Sequence, residues 1–92
     1  MSRLSIVHPH HASVDQVRQQ VEKLMTSLQS KYGASSQWEG DSTVRVKAPS
    51  ITGNLSFDST ALHIDVQFGM LGNMLKPKIE TEIRDYLNKH LT

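Results

Sequence analysis

The chain has 92 residues, with ten Lys and Arg against nine Asp and Glu, which gives a net charge of +1 when the histidines are neutral. This balance predicts no strong attraction to nucleic acid or to an anionic membrane. The absence of cysteine excludes disulfides, thiolate catalysis and Cys-ligated zinc sites. Because no apolar run approaches the ~20 residues that span a bilayer, we expect one small cytoplasmic domain over residues 1–92.

The first third of the chain predicts a strand followed by a long helix. A short apolar patch at 4–7 is typical of a strand, and Ser13 with Gln16 has the spacing of a helix capping box. Apolar residues then recur at steps of three and four, which predicts an amphipathic helix over 14–32 that ends at a left-handed cap on Gly33. The apolar positions of this helix are Val14, Val17, Val21, Leu24, Leu28 and Tyr32.

The rest of the chain predicts a meander of strands and a second helix. Segment 37–39 leads into a Gly-Asp turn, and alternating apolar residues predict strands over 43–47, 51–57 and 61–68. Short connections between these strands favour antiparallel pairing. A proline in the first turn suits a helix over 77–91. The order β-α-β-β-β-α predicts a two-layer α+β fold, with two helices on one face of a four-stranded antiparallel sheet.

The segment between the last strand and the second helix is the most unusual part of the sequence. It has four large apolar residues, Met70, Leu71, Met74 and Leu75, in a glycine-bearing loop over 69–76. Loops normally lie on the surface. These side chains therefore either fold back over the open end of the sheet or offer an apolar contact to another molecule. The sequence leaves both alternatives open.

The histidines are the candidate metal ligands, because imidazole binds transition metals. The candidates are four of the five histidines in the chain: His8, His10, His11 and His63. A metal site needs converging ligands with supporting partners, and no carboxylate lies near the 8–11 cluster, so an exposed histidine-rich connector is the favoured interpretation. No phosphate-binding or nucleophile motif is present, and the carboxylates have structural explanations in turns, on a strand or on a helix surface. We therefore predict no catalytic residue and no cofactor.

Several short motifs follow one another through the chain. A histidine lies near the start, the first helix ends in Tyr-Gly, a Trp-x-Gly-Asp turn follows, and a Leu-Lys-x-Lys-Ile-Glu-x-Glu-Ile run opens the last helix. The matching positions are Ile6, His10 or His11, 32–33, 38–41, Gly53, 68–71 and 75–83. In this order of motifs the chain resembles the polyhydroxyalkanoic acid system family of small bacterial proteins, over nearly its whole length.

The resemblance implies a role near polyhydroxyalkanoate storage granules: attachment to them, or assistance in the synthesis or turnover of the polyester. It brings no catalytic motif, so the prediction is a non-enzymatic accessory or binding protein whose partner is the granule surface or a granule protein. The predicted contact surface consists of Met70, Leu71, Met74 and Leu75, with Trp38 alongside. The alternatives are a homodimeric module that pairs through the apolar loop or an edge strand, and a metal protein built on the histidines.

Overall fold

The computed structural model describes residues 2–91, which form two α-helices and a five-stranded antiparallel sheet. The elements in chain order are β1 (Ser2–Pro9), α1 (Val14–Tyr32), β2 (Ser35–Trp38), β3 (Thr43–Ala48), β4 (Ile51–Phe57), β5 (Ala61–Phe68), a 3₁₀ helix (Gly72–Leu75) and α2 (Lys76–His90). Neither α-helix in this range is long and apolar enough to cross a membrane. The α+β class with two helices is confirmed, and the predicted count of four strands is wrong.

The additional strand, β2, comes from the segment that the sequence presented only as the approach to a turn. It lies at one edge of the sheet, in the order β1-β5-β4-β3-β2, and pairs with β3 so that Ser35 lies opposite Lys47 and Trp38 opposite Val44. Three of its four residues are polar and exposed, so they show no apolar alternation. Backbone pairing with β3 forms this strand, and a search for period-two hydrophobicity does not detect it.

The sheet has one buried and one open face. Buried positions of β5 alternate with exposed or half-buried ones, which is the pattern predicted for a strand with one solvated face. Both helices cover the buried face with their apolar sides. The core includes Leu4 and Ile6 of β1, Val17, Val21, Leu24 and Leu28 of α1, Leu55 and Phe57 of β4, Leu62, Ile64, Val66 and Phe68 of β5, and Ile79, Ile83 and Leu87 of α2.

Helix α1 begins and ends where the sequence predicts. The Ser13 hydroxyl accepts a hydrogen bond from the Gln16 backbone N–H at 3.2 Å, and the Gln16 side chain accepts one from the Ser13 N–H at 3.0 Å. Gly33 follows the last turn with a φ of 68°, a left-handed conformation that glycine adopts without steric cost. An N-terminal cap of this kind stabilises a helix by about 1 kcal/mol.

The strands and helices place their connections at two opposite ends of the molecule. One end holds the start of β1, the end of α1, the β3–β4 turn and the loop after β5, because Phe68 pairs with both Ser2 and Ile51. The other end holds the β1–α1 connector and the β4–β5 turn, since Pro9 pairs with Ala61. The length of the sheet therefore separates the apolar loop from the histidine-rich connector.

Candidate functional site

The loop between β5 and α2 places its large apolar side chains in solvent. Met70 is 87% exposed, Leu71 79%, Met74 86% and Leu75 36%. These four residues form the apolar tip of the molecule. Within residues 2–91 the only other large hydrophobic side chain of this kind is Val7, on the open face of the sheet. The side chains of the tip therefore do not fold back over the end of the sheet.

Close backbone packing holds the tip in this position. The Gly69 N–H donates to the Ser50 carbonyl at 2.6 Å, and the Asn73 N–H donates to the Gly69 carbonyl at 2.9 Å. Gly72 is buried against the β3–β4 turn: a Cβ atom there would lie 2.6 Å from the Ser50 carbonyl oxygen and 2.7 Å from Cγ1 of Ile51. The glycine backbone occupies the space at the end of the sheet, so the large neighbouring side chains remain outside.

The tip is continuous with α2. The 3₁₀ helix passes directly into α2 at Lys76, and Pro77 lies in the first turn, as predicted. Ile79, also near the start of α2, is buried in the core. The tip is thus held by a packed helix on one side and by the β3–β4 turn on the other. These attachments make it a defined surface rather than a free loop.

Two ion pairs lie next to the tip. Arg3 pairs with Asp65 between β1 and β5, and Lys31 pairs with Glu82 between the two helices. The hydrogen bond from Lys31 is the main cause of a lowered pKa of Glu82. The Tyr32 hydroxyl donates to the same carboxylate at 2.9 Å. Both acids are therefore held as carboxylates by basic partners at this end of the molecule.

Three further lysines lie at the same end. Lys47, Lys76 and Lys78 form no ion pair within residues 2–91, although Lys78 is near enough to Glu82 to contribute to its lowered pKa. Lys47 and Lys78 are exposed and Lys76 is half-buried. Sequence reasoning did not single out these lysines. A sequence signal exists for Lys76 and Lys78 alone, because the stretch 66–79 contains no Asp or Glu.

The structure does not bring Trp38 together with the apolar tip. Trp38 lies opposite Val44 at the end of the sheet that holds the β4–β5 turn. Its ring packs edge-to-face on Phe57 with centroids 6.0 Å apart, and the Arg18 guanidinium lies 6.0 Å from the ring centroid. Trp38 is therefore an edge anchor of the core.

The histidine-rich connector is not simply exposed, as the sequence suggested. His10 has 3% of its surface in solvent. Its Nε2 donates to the Asp58 carbonyl at 2.9 Å, and its Nδ1 accepts from the Ala12 N–H at 3.1 Å. These partners define a neutral ring with the proton on Nε2. The His8 ring forms a hydrogen bond with the Leu91 carbonyl after α2.

The histidines do not converge on one point. His63 lies opposite Val7 and is exposed on the open face of the sheet, whereas His8 is half-buried and His10 is buried on the core side. His11 is exposed. Within the described range 2–91, no group of three His, Cys, Asp or Glu side chains is placed to hold a metal ion. The geometry gives the metal-binding alternative no support.

Two carboxylates illustrate the structural roles that the sequence predicted for acids in turns and on helix surfaces. The Asp58 side chain accepts from the Thr60 N–H at 2.8 Å and from the Ala61 N–H at 2.9 Å, and these bonds lower its pKa to about 2. Glu80 pairs with Arg84, one turn later on α2, at 2.9 Å. Both acids therefore have structural partners, as the sequence predicted.

An apolar cavity of about 50 Å³ lies between the two helices and the sheet. Small residues on the sheet side, Ala34, Ala48 and Gly53, line it together with larger side chains of both helices. Its volume is about one third of the ~150 Å³ cavity that binds benzene in an engineered protein. The cavity is a packing gap and is too small to enclose a substrate of ordinary size.

The comparison with protein families covers almost the whole chain. The family model for polyhydroxyalkanoic acid system proteins matches residues 4–91. This range contains both helices, nearly all of the sheet and the apolar tip. No match was found among curated proteins or among solved structures. As its motifs indicated, the chain belongs to the polyhydroxyalkanoic acid system protein family.

Proposed function

We propose that this protein is a non-enzymatic accessory protein of polyhydroxyalkanoate storage, and that it contacts the granule surface through its apolar tip. Membership of the polyhydroxyalkanoic acid system family supports the setting. The exposure of Met70, Leu71 and Met74 supports the mode of contact, because each of these side chains is at least 79% exposed. The free energy falls when an apolar surface removes such side chains from water, so an exposed apolar group favours contact of this kind.

The tip has enough apolar surface for reversible attachment. Full burial of one side chain of this size contributes about 1.5–3 kcal/mol, so partial burial of four contributes several kcal/mol. For comparison, a dissociation constant of 1 mM corresponds to about 4 kcal/mol and one of 1 μM to about 8 kcal/mol. The contact is therefore expected to be weak to moderate for a single copy.

The surroundings of the ionisable groups support an accessory rather than a catalytic role. Asp58, Glu80 and His10 have structural hydrogen-bond or ion-pair partners. The tip itself consists of thioether and aliphatic side chains, which neither donate nor accept protons. Contact with another apolar surface is the interaction that these side chains offer.

Co-sedimentation with purified polyhydroxybutyrate particles tests the proposal. We expect the wild-type protein to sediment with the particles and the Met70→Ser/Leu71→Ser double variant to stay in the supernatant, because the hydroxyl opposes transfer out of water. Both native side chains are exposed, so the variant should keep its melting temperature. Val7→Thr is a matched control, since it removes an apolar side chain that is 64% exposed but lies on the open face of the sheet.

Three results contradict the proposal. The first is that the wild-type protein does not bind the particles. The second is that the folded double variant binds as well as the wild type. The third is that Val7→Thr loses as much binding as the double variant does. A large fall in the melting temperature of the double variant would show instead that the tip stabilises the fold. In that case the same particles are tested with Met74→Ser, whose side chain is 86% exposed.

A further inference from the structure

A net charge near zero conceals an uneven distribution of charge along the molecule. Four chain segments meet at the end that holds the apolar tip: 2–3, 31–35, 47–51 and 68–78. Together they contain five basic residues and no Asp or Glu. The basic residues are Arg3, Lys31, Lys47, Lys76 and Lys78. The chain segments around the apolar tip therefore carry an excess of basic residues.

Ion pairs neutralise only part of this charge. Asp65 and Glu82 compensate Arg3 and Lys31, while Lys47, Lys76 and Lys78 have no ion-pair partner within residues 2–91. Lys76 follows the tip directly at the start of α2. Lys47 precedes the β3–β4 turn, to which the loop of the tip is bound. Lys47 and Lys76 therefore lie on the two segments to which the tip is attached.

We propose that the tip end of this protein binds an anionic phospholipid layer. The apolar tip enters the acyl-chain region, and Lys47, Lys76 and Lys78 contact the negatively charged headgroups. The inference rests on the proposed function, because it uses the same contact surface, and it names the chemistry of the layer that the tip meets. Peripheral attachment to lipid is typically strengthened when an apolar anchor is combined with a basic patch. The tip end has both.

The charge pattern favours anionic lipid over the other surfaces that an apolar patch can meet. Two copies joined tip to tip would bring the lysines of both copies together, and like charges oppose such a contact. A neutral polyester surface would cover the apolar side chains but leave the lysines without partners. An anionic lipid layer supplies acyl chains for the tip and negative charge for the lysines.

Vesicle flotation tests the inference. The wild-type protein is mixed with vesicles of phosphatidylcholine alone or with vesicles of equal parts phosphatidylcholine and phosphatidylglycerol. We expect much stronger binding to the phosphatidylglycerol vesicles, and a decrease as added salt screens the headgroups. The Lys76→Gln/Lys78→Gln variant should bind these vesicles about 25-fold more weakly, which is roughly fivefold for each lysine. Met70→Ser/Leu71→Ser should lose most of its binding to the same vesicles.

A second pair of lysines provides the matched control. Lys23→Gln/Lys89→Gln removes the same charge from positions that are exposed but lie away from the tip, in α1 and in the last turn of α2. We expect this variant to keep nearly the wild-type affinity. Equal losses of vesicle binding in the two lysine double variants would show that only net charge matters. This result would overturn a lipid-binding site at the tip end.

Other outcomes separate the lipid partner from the proposed function. Equal binding to both kinds of vesicle, or binding to neither, overturns the inference. If the protein then still binds lipid-free polyhydroxybutyrate particles through the tip, the proposed function stands and only the lipid partner is rejected. If the protein binds the vesicles but does not bind the lipid-free particles, only the polyester contact is rejected. A concentration-dependent dimer that Met70→Ser/Leu71→Ser abolishes, without vesicle binding, identifies a second copy as the partner.

Discussion

The two connectors that stand out in the sequence behave in opposite ways in the structure. In the polar connector, His10 is packed into the interior with 3% exposure, although its neighbour His11 is exposed. In the apolar connector, Met70 and Met74 are 87% and 86% exposed. On average methionine is buried more often than histidine, which is the reverse of what these residues show. The two connectors also lie at opposite ends of the sheet.

Partners within the chain explain the difference. Both ring nitrogens of His10 have backbone partners, so burial leaves no polar atom unsatisfied. The exposed side chains of the tip have no comparable role in the core, and the fold gains little from their apolar character. An apolar group that the fold does not use is therefore a stronger sign of an external contact than a polar cluster that the fold does use.

The two neighbouring histidines test this comparison most strongly, because we expect their replacement to give the largest difference in the free energy of unfolding. His10→Ala removes a buried side chain and leaves the Asp58 carbonyl and the Ala12 N–H without their partner, so we expect a loss of about 2–4 kcal/mol in the free energy of unfolding. His11→Ala should change it by less than about 0.5 kcal/mol. Urea denaturation of both variants measures the difference, and equal effects would contradict a structural role for His10.

Two glycines provide a second test, with effects of opposite sign. Gly72→Ala should destabilise the fold by about 1–3 kcal/mol, because the added Cβ would overlap Ser50 and Ile51 and displace the tip. Gly53→Ala should stabilise it by about 0.4–1 kcal/mol. At that position the nearest atoms to the new Cβ are the Asp65 carbonyl oxygen at 3.4 Å and Cγ2 of Val66 at 3.5 Å, which are ordinary contacts.

Thermal denaturation of the two glycine variants checks this prediction. Loss of stability in Gly53→Ala would show that the nearby cavity cannot accept another atom. Unchanged stability in Gly72→Ala would show that the loop moves away from the β3–β4 turn without cost. Only the Gly72→Ala outcome would contradict the packing that holds the tip outside the core.

The smallest expected effect concerns acid stability at the connector end. The pKa of Asp58 is lowered from 3.8 to about 2, so its carboxylate stabilises the fold above pH 3.8, and this contribution is lost as the pH falls toward 2. Asp58→Asn keeps an acceptor oxygen but does not titrate. Its melting temperature should therefore fall less steeply than that of the wild type between about pH 5 and about pH 2. Parallel curves from calorimetry would contradict the hydrogen-bonded role of Asp58.

The sequence predicts best those elements whose signals are local. The capping box at Ser13, the glycine cap at Gly33 and the apolar spacing between them locate α1, because all three depend on residues within one helix. Strand β2 has no such signal. Its polar residues adopt an extended conformation because β3 provides a free edge, and only the assembled sheet shows this.

The sequence identified the apolar residues of the tip, but it did not predict whether they are buried or exposed. Met70 and Leu71 stand out because large apolar residues are unusual in a glycine-bearing loop. Their exposure depends on the approach of Gly72 to Ser50, a contact between segments that are distant in the chain. The grouping of Lys47 with Lys76 likewise requires the strand pairing. Net charge cannot indicate such grouping, because it sums over both ends of the molecule.

The position of the tip at one end of the strands limits how many copies a surface can hold. Strands of up to eight residues span about 26 Å, and a five-stranded sheet is about 19 Å wide between its outer strands. We infer from these lengths that the longest dimension of 36 Å runs along the strands. A molecule attached by its tip stands upright on this axis. Its footprint is then about 23 × 20 Å, the smallest cross-section that the fold offers. Upright attachment therefore gives each copy a small footprint on the surface and turns the open face of the sheet to the side.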